Sequence, residues 1–308
     1  MTPSRWPVKA LLVVLAVSVV AYGLILQLWG GGAQTPLALL WSWNGLVMAA
    51  LCGANFVLRG LRWRLWMAQL DRHFSLPVAL RLYVAGYTFT PTPGNVGEVL
   101  RGVTLARQPL TLAQSLSIFG AERLADLVCL LLLCLPALAW LLHAWSPQWA
   151  LWLAIALGAL GLIGAYGIWR WAKPLRAGLL KRFPWLNDAW NCLAKRPLEW
   201  FLLTFFAWLA QGVAVWLVCN ALALYLPLLL ASSIYALAMV AGALSTLPAG
   251  LGGMEATQGA LLIAQGATVA QAIAITAVTR VLTLWLAVSL GVAALFYSVV
   301  VSKDIQFS

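Results

Sequence analysis

The chain of 308 residues is 63% hydrophobic and only 9% charged, with a mean hydropathy of +0.92. Soluble domains carry roughly 25% charged residues, so this composition excludes a water-soluble core. The net charge of +11 does not indicate nucleic acid binding, because the basic residues cluster at the ends of apolar segments. The sequence therefore predicts an all-α integral membrane protein.

Long apolar segments make up most of the chain, and each approaches or exceeds the ~20 residues that a spanning helix needs. The first is longer than the about 7 to 15 apolar residues of a signal peptide, so we expect it to be retained as a helix. With a long helix near the C-terminus, the segments predict about six transmembrane helices. They cover residues 6–28, 36–58, 127–142, 149–169 and 201–226.

The distribution of charge predicts the orientation. Connections 30–35, 143–148 and 225–232 contain no Lys, Arg, Asp or Glu, whereas loop 170–196 holds seven Lys and Arg residues. Basic residues collect on the cytoplasmic side of membrane proteins, so both termini are predicted to be cytoplasmic. The loop 170–196 mixes basic with apolar residues, which predicts an interfacial segment that attracts anionic lipids.

The chain contains an internal repeat. A shift of 157 residues, the separation of Glu98 and Glu255, superimposes rare residue types that chance would hardly align. The coinciding pairs include Pro91 and Pro248, Glu98 and Glu255, Gln114 and Gln271, and Arg123 and Arg280.

The repeat predicts two membrane units, residues 1–143 and 144–308. Each unit is expected to hold two spans, a hairpin and a long helix, 112–142 in the first and 268–300 in the second. An odd number of spans separates the two copies, so the second copy is inverted, as in many transporters. The sequence therefore predicts an inverted-topology repeat.

Each unit also contains an apolar segment that is too short to cross the membrane alone. The segments are predicted to form re-entrant helical hairpins, 77–107 and 233–265, which enter the bilayer from opposite sides. Proline and clustered glycine break helices and permit tight reversal of the chain. The predicted turn residues are Pro91, Pro93, Gly94, Gly97, Pro248, Gly250, Gly252 and Gly253.

The carboxylates Glu98 and Glu255 follow these turns and allow two interpretations. In the structural one, Asn95 caps the returning helix and Glu98 reaches back to its backbone, with a weaker version at Glu255. In the functional one, ionisable groups inside the bilayer bind a cationic head group or a coupling proton.

The arginines Arg123 and Arg280 are predicted about 11 residues into their long helices, or ~17 Å deep, near the middle of a ~30 Å hydrocarbon core. A guanidinium at that depth needs an anionic partner, and its fork suits phosphate or carboxylate. Glu122 and Asp126 are candidate partners for Arg123. Arg280 lacks a neighbouring acid, so Glu255, Glu98 or a ligand phosphate remain open as its partner, as does a purely structural pair.

The five cysteines lack the spacing of metal ligands, and no nucleotide-binding or nucleophile motif occurs. No metal, cofactor or catalytic residue is predicted, and the protein is not expected to be an enzyme.

Several motifs together resemble a known family. They are the segment 93–98 with Arg101, then Glu122 and Arg123 with Asp126, and the glycine-rich turn 248–255. This combination resembles the flippase-like membrane domain of lysylphosphatidylglycerol synthases and its stand-alone relatives. The resemblance implies movement of lipids across the bacterial cytoplasmic (inner) membrane. The sequence shows no aminoacyl-transferase domain, so a stand-alone member is expected and the lysyl-lipid substrate does not carry over.

The resulting hypothesis is a lipid flippase with a charged cavity between its two repeats. Arg123 and Arg280 are predicted to hold a lipid phosphate, and Glu98 and Glu255 a cationic head group or a proton. The predicted substrate-binding residues are Glu98, Arg123, Glu255, Arg280, Asn95, Arg101, Glu122 and Asp126.

Two other classes remain open at this point. A lipid-modifying enzyme would need a nucleophile or metal site near the carboxylates. A scaffold or accessory subunit for a lipid or glycan biosynthetic enzyme would tolerate loss of the buried charges. The candidate partners besides a membrane lipid are a second copy of the chain and a lipid-synthesis enzyme.

Overall fold

The computed structural model describes residues 38–92, 94–107, 109–145, 183 and 185–306. The predicted spans 6–28 and 149–169, the turn residue Pro93 and most of loop 170–196 lie outside these residues. Within them the protein is α-helical, apart from an isolated antiparallel bridge between Leu105 and Ile305.

Ten α-helices follow one another in the described residues. They are α1 Trp43–Gln69, α2 Leu76–Ala85, α3 Leu100–Val103, α4 Leu112–Trp145, α5 Trp185–Lys195, α6 Pro197–Ala221, α7 Leu228–Leu244, α8 Gly253–Ala264, α9 Val269–Arg280 and α10 Leu286–Phe296. Short 3₁₀ helices occupy Leu39–Trp41, Gly86–Phe89 and Val96–Val99, and π-helical turns occupy Val281–Trp285 and Tyr297–Val301. We call the continuous helix Val269–Val301 the C-terminal long helix.

In the described parts of the chain, four helices are long and apolar enough to cross a membrane, namely α1, α4, α6 and the C-terminal long helix. The protein is therefore a multi-pass membrane protein, and α4 and the C-terminal long helix match the predicted long helices within a few residues. The second predicted span, 36–58, is wrong at both ends. The observed helix, α1, begins at Trp43 and continues to Gln69, so Arg59 and Arg62 lie inside the helix and not in a loop after it.

Both long helices begin with the same cap, which explains part of the sequence repeat. Gln114 N–H donates to Thr111 Oγ1 at 3.2 Å, and Thr111 N–H donates to the Gln114 side chain at 3.1 Å. Thr268 and Gln271 make the same two bonds at 3.0 and 3.2 Å. This reciprocal capping box satisfies backbone donors that a helix start would otherwise leave unpaired.

The helices α1 and α6, which the 157-residue shift relates, pack against each other. Asn55 Nδ2 donates to Ala207 O at 2.9 Å, and Arg62 Nη1 donates to Thr204 Oγ1 at 2.8 Å. Along α1 the residue number rises from Asn55 to Arg62, while the number of the contacted residue in α6 decreases from Ala207 to Thr204. The two helices therefore run antiparallel. The hairpins that follow them therefore start at opposite ends of the helix pair.

Each hairpin packs on the long helix of the other unit. In the first unit α2 contacts α10, and in the second α7 contacts α4. The α7–α4 contact compensates a helix defect at Pro136, whose ring disrupts the backbone hydrogen bonds of α4. Ser233 Oγ accepts from Ala137 N–H at 2.7 Å and donates to Cys134 O at 3.0 Å.

The helix breaks lie where proline and glycine predict them. In the first hairpin, Gly94 and Asn95 have φ of 60° and 56°, and a 3₁₀ turn and the short α3 follow. In the second, Gly250 and Gly252 have φ of 67° and 85°, and α8 follows. A Cβ on Gly250 would lie 3.0 Å from the backbone of Gly242 in α7, so glycine also permits close packing of the hairpin.

The residues after the C-terminal long helix close the base of the first hairpin. Ala106 N–H donates to Asp304 O at 2.8 Å, and Gln306 N–H donates to Thr104 O at 2.9 Å. Arg81 of α2 forms an ion pair with Asp304. The end of the C-terminal long helix thus lies on the same side of the protein as both ends of the first hairpin.

Candidate functional site

Seven charged side chains meet beside the first helix break, and we call this group the first cluster. Two come from α1, two from the turn and short helix after the break, and three from α4. The members are Arg59, Arg62, Glu98, Arg101, Glu122, Arg123 and Asp126.

Asp126 is the anchor for the arginines of α1. Its two carboxylate oxygens accept from Arg59 Nη2 and Arg62 Nη1, each at 2.7 Å. Trp208 Nε1 of α6 donates to the same carboxylate at 3.3 Å. The carboxylate therefore connects α1, α4 and α6 within the buried core.

Glu98 connects the helix break to α4. It accepts from Thr90 Oγ1 at 3.0 Å, Arg101 Nη2 at 3.1 Å and Arg123 Nη2 at 3.3 Å. Arg101 also donates to Glu122 of α4 at 3.2 Å, and its guanidinium lies 4.2 Å from the ring centroid of Tyr83. Gly86 leaves room for this guanidinium, since a Cβ there would lie 2.1 Å from Arg101 Nε.

The capping interpretation of Asn95 and Glu98 is wrong. Asn95 is in the left-handed region, its side chain makes no cap hydrogen bond, and the segment it precedes is a 3₁₀ turn. Glu98 turns toward the cationic side chains because two guanidinium groups bind a carboxylate more strongly than one backbone N–H does.

The second helix break carries a smaller group, the second cluster, formed by Glu255 and Arg280. Arg280 Nε donates to Glu255 Oε1 at 2.7 Å, and Arg280 Nη2 donates to Ala249 O and Gly250 O at 3.2 Å each. Glu255 Oε2 accepts from Gly252 N–H at 2.7 Å. The backbone contact that was expected of Glu98 is therefore made by Glu255, and Arg280 has Glu255 as its carboxylate partner.

The two clusters expose opposite charges. In the first, the Arg123 side chain is 31% exposed while those of Glu98 and Asp126 are 2% and 6% exposed. In the second, the Glu255 side chain is 21% exposed while that of Arg280 is 3% exposed. The first cluster thus presents a cation at the protein surface, and the second presents a carboxylate.

An aromatic and polar contact path runs from the first cluster toward the C-terminal long helix. Trp208, which binds Asp126, lies 6.5 Å from the Tyr235 ring. Tyr235 Oη donates to Gln211 Oε1 at 2.9 Å and lies near Thr283 of the C-terminal long helix. Thr283 is the residue that the 157-residue shift places on Asp126.

Residues 11–291 match the sequence model of the family described as Lysylphosphatidylglycerol synthase TM region. The chain belongs to this family. No individually curated protein matches the chain. Membership of the lysylphosphatidylglycerol synthase membrane-region family suggests a function related to membrane lipids. The resemblance of the charged motifs at the breaks implied the same.

Sequence reasoning missed Arg59 and Arg62 of this family member. Arg59 and Arg62 are only 7% and 0% exposed, whereas Arg64, two residues on, is exposed. A signal was present in the charge balance. In the first unit, the predicted site contained three carboxylates but only two arginines, Arg101 and Arg123. One carboxylate therefore had no predicted basic partner.

Within the described residues there is no group of three or more His, Cys, Asp or Glu side chains that could hold a metal ion. All five cysteines are buried free thiols. One of them, Cys192, lies in α5 outside the spanning helices, where burial raises the pKa of its thiol to about 12.

Proposed function

We propose that the protein moves a lipid with a phosphate-containing head group across the bilayer, through a cavity between two inverted halves. The observation that carries this proposal is the pair of equivalent ion pairs at the helix breaks. Glu98 binds Arg123 at 3.3 Å, and Glu255 binds Arg280 at 2.7 Å. Membership of a family named for a lipid synthase supports a lipid as the substrate.

The inverted arrangement is supported by helix direction and by the shared caps. The antiparallel packing of α1 and α6 makes the two hairpins start at opposite ends of the protein. Two units related in this way permit alternating access, because rocking one unit against the other opens the site to each side in turn.

The depth of the charges supports a path through the bilayer. Arg123 and Arg280 both lie 11 residues beyond the first residue of their long helices, Leu112 and Val269. At 1.5 Å per residue this is ~17 Å, close to the centre of a ~30 Å hydrocarbon core. Charges at that depth are costly, and they mark substrate or ion pathways in membrane proteins.

In this mechanism the head group crosses while the acyl chains remain in the bilayer. The exposed guanidinium of Arg123 binds the phosphate, and the carboxylate of Glu255 binds a cationic part of the head group or takes up a proton. The mechanism makes or breaks no covalent bond, so the proposal is a transporter and not an enzyme.

The test is head-group translocation in proteoliposomes that contain the purified protein. We expect Glu98→Gln and Arg280→Ala each to slow translocation at least about tenfold, because each removes the ion pair that joins a helix break to a long helix. The matched controls are Glu199→Gln and Arg196→Ala, which remove an ion pair whose side chains are 49% and 59% exposed. Wild-type rates in both cluster variants would overturn the proposal.

The same assay addresses the scaffold alternative. If the wild-type protein gives only the background rate of empty vesicles, transport is rejected. Co-purification of a lipid or glycan biosynthetic enzyme that persists in the Glu98→Gln variant would then identify the protein as an accessory subunit.

The proposed topology has its own test. Cysteines introduced at Asp71 and Tyr225 lie just beyond α1 and α6, and we expect an impermeant maleimide to reach them from opposite sides of the membrane. The positive-inside distribution predicts that Asp71 is cytoplasmic, together with both termini. The native thiols interfere little, because all five are buried. Labelling of both positions from one side would remove the inverted arrangement.

A further inference from the structure

The charges of the first cluster do not balance. Four guanidinium groups face three carboxylates, so counting every group as ionised leaves an excess of one positive charge. Each ion pair found at the cluster in the described residues is already included in this count. An uncompensated charge inside hydrocarbon is expensive, so an anion that completes the cluster would be strongly favoured.

The cluster also lacks hydrogen-bond acceptors. A guanidinium offers five N–H donors. Among the described residues, none of the four cluster arginines has an acceptor for its Nε atom, and Nη2 of Arg62 also has none. The shortage of acceptors and the shortage of negative charge therefore occur at the same place.

Arg123 is the member that a ligand can reach. Its side chain is 31% exposed, whereas Arg101 and Arg62 are 3% and 0% exposed. An anion that approaches the cluster from the protein surface therefore meets Arg123 first.

Within the part of the chain that the structure describes, the second cluster shows no such excess. One guanidinium faces one carboxylate, and Arg280 already donates from Nε to Glu255 and from Nη2 to two backbone carbonyls. Anion binding is therefore a property of the first cluster, although the sequence predicted phosphate contacts from both Arg123 and Arg280.

We infer that the first cluster binds a phosphodiester monoanion, and that this charge selects lipids with a phosphodiester head group over those with a phosphomonoester or pyrophosphate. The inference rests on the proposed function and specifies its substrate. One phosphodiester carries one negative charge, which cancels the excess, and its two free oxygens accept N–H bonds from the Arg123 fork. A dianion would leave the buried cluster with a net negative charge.

The first experiment measures binding to the purified full-length protein in detergent by calorimetric titration at pH 8. The probes are dihexanoyl phosphatidylglycerol, a phosphodiester, and dihexanoyl phosphatidic acid, a phosphomonoester that is a dianion at this pH. We expect the wild type to bind the phosphodiester at least about tenfold more tightly. Equal affinity, or tighter binding of the phosphomonoester, would overturn the inference.

Charge variants test the cause of the preference. Arg123→Gln removes the excess charge, and we expect phosphodiester affinity to fall about tenfold or more. Glu122→Gln raises the excess to two, and the preference should move toward the phosphomonoester. The matched control is Arg64→Gln, which makes the same change on the exposed face of α1 and should leave both affinities unchanged. An unchanged preference in well-folded Arg123→Gln and Glu122→Gln protein would overturn the inference.

Arg123→Lys guards against a folding defect, because it keeps the charge and loses only the fork. We expect it to retain the preference for the phosphodiester with weaker binding. Loss of the preference in this variant would show that charge is not the determinant.

Two further probes separate a lipid from a free anion. Glycerophosphoglycerol carries the same phosphodiester without acyl chains, and inorganic phosphate carries neither. We expect the order lipid, then glycerophosphoglycerol, then phosphate, and equal binding of all three would overturn selection of a phosphodiester lipid. Selective binding without translocation would reject the proposed transport and leave this inference standing, whereas translocation without the preference would do the opposite.

Discussion

The two helix breaks have equivalent positions in the repeat but very different charge. The pair Glu98 and Arg123 recurs as Glu255 and Arg280. The ion pair of Arg101 with Glu122 recurs as an uncharged hydrogen bond, in which Gln258 Nε2 donates to Thr279 Oγ1 at 3.3 Å. The two breaks therefore share these contacts, whereas the additional charges are found only at the first break among the residues that the structure describes.

The two hairpins also differ in the ion pairs that join them to the rest of the protein. The first hairpin is tied to α4 by the ion pairs of Glu98 and Arg101 and to the C-terminal residues by Arg81 and Asp304. The second hairpin is tied to the C-terminal long helix by the ion pair of Glu255 and Arg280 and by a neutral hydrogen bond. Among the ion pairs found in the described residues, displacement of the first hairpin would therefore break more of them than displacement of the second.

The largest expected effect is on the free energy of unfolding, and it compares Asp126 with its counterpart Thr283. Asp126→Asn leaves Arg59 and Arg62 without their shared carboxylate, and we expect the free energy of unfolding to fall by about 3 to 5 kcal/mol. Thr283→Val removes a hydroxyl that donates to Thr279 O at 2.8 Å, and we expect a loss of only about 0.5 to 1.5 kcal/mol. Reversible unfolding in mixed micelles measures both changes.

Glu199→Gln at the exposed start of α6 serves as the control for Asp126→Asn and should change stability by less than about 0.5 kcal/mol. Equal losses for Asp126→Asn and Thr283→Val would show that the charge asymmetry has no energetic consequence.

A smaller effect concerns the pair Arg101 and Glu122. Converting it to the residues of the second unit, in the double variant Arg101→Gln with Glu122→Thr, tests whether the uncharged pair substitutes for the ion pair. Each single variant leaves one buried charge partly compensated by the rest of the cluster, so we expect losses of about 2 kcal/mol each. The double variant should lose no more than either single one, a coupling of about 2 kcal/mol in a double-mutant cycle. Additive losses would contradict the equivalence of the two pairs.

The smallest effect compares the two long helices. Only α4 of the two contains a proline, and Ser233 satisfies the backbone groups beside Pro136. Ser233→Ala should cost about 1 to 2 kcal/mol, because it leaves a buried N–H and a buried carbonyl with one partner fewer. Its neighbour Ser232 supplies the control, because no partner for its buried Oγ is found in the described residues. Ser232→Ala should therefore be nearly neutral, and a similar loss in both would refute the role of Ser233.

Much of the fold follows from local sequence. Residues 90–97 and 245–252 break their helices because proline and glycine act on the chain within a few residues, whatever the surroundings. The start of each long helix is equally local, since Thr111 and Gln114 cap their own helix as Thr268 and Gln271 do. Such features are predictable because no distant partner takes part in them.

The site was predictable only in part, because its remaining contacts join distant residues. Arg59 and Arg62 lie more than 60 residues from Asp126 in the chain. In the sequence, Arg59, Arg62 and Arg64 all resemble basic residues at the end of a helix. Only the packing of α1 against α4 and α6 shows that Arg59 and Arg62 are buried and Arg64 is exposed. Glu98 was placed correctly beside the break, yet its partners depend on how the turn meets α4.

The bridge between Leu105 and Ile305 has a consequence for biogenesis. The ribosome makes the first hairpin some 200 residues before the segment that fastens its base. During most of synthesis, the backbone groups of Thr104 and Ala106 must find temporary partners in water, in lipid head groups or in an insertase. Final closure of this hairpin is therefore a late, post-insertion event, and a chain that stalls before residue 304 would display an open hairpin base to the proteases of membrane quality control.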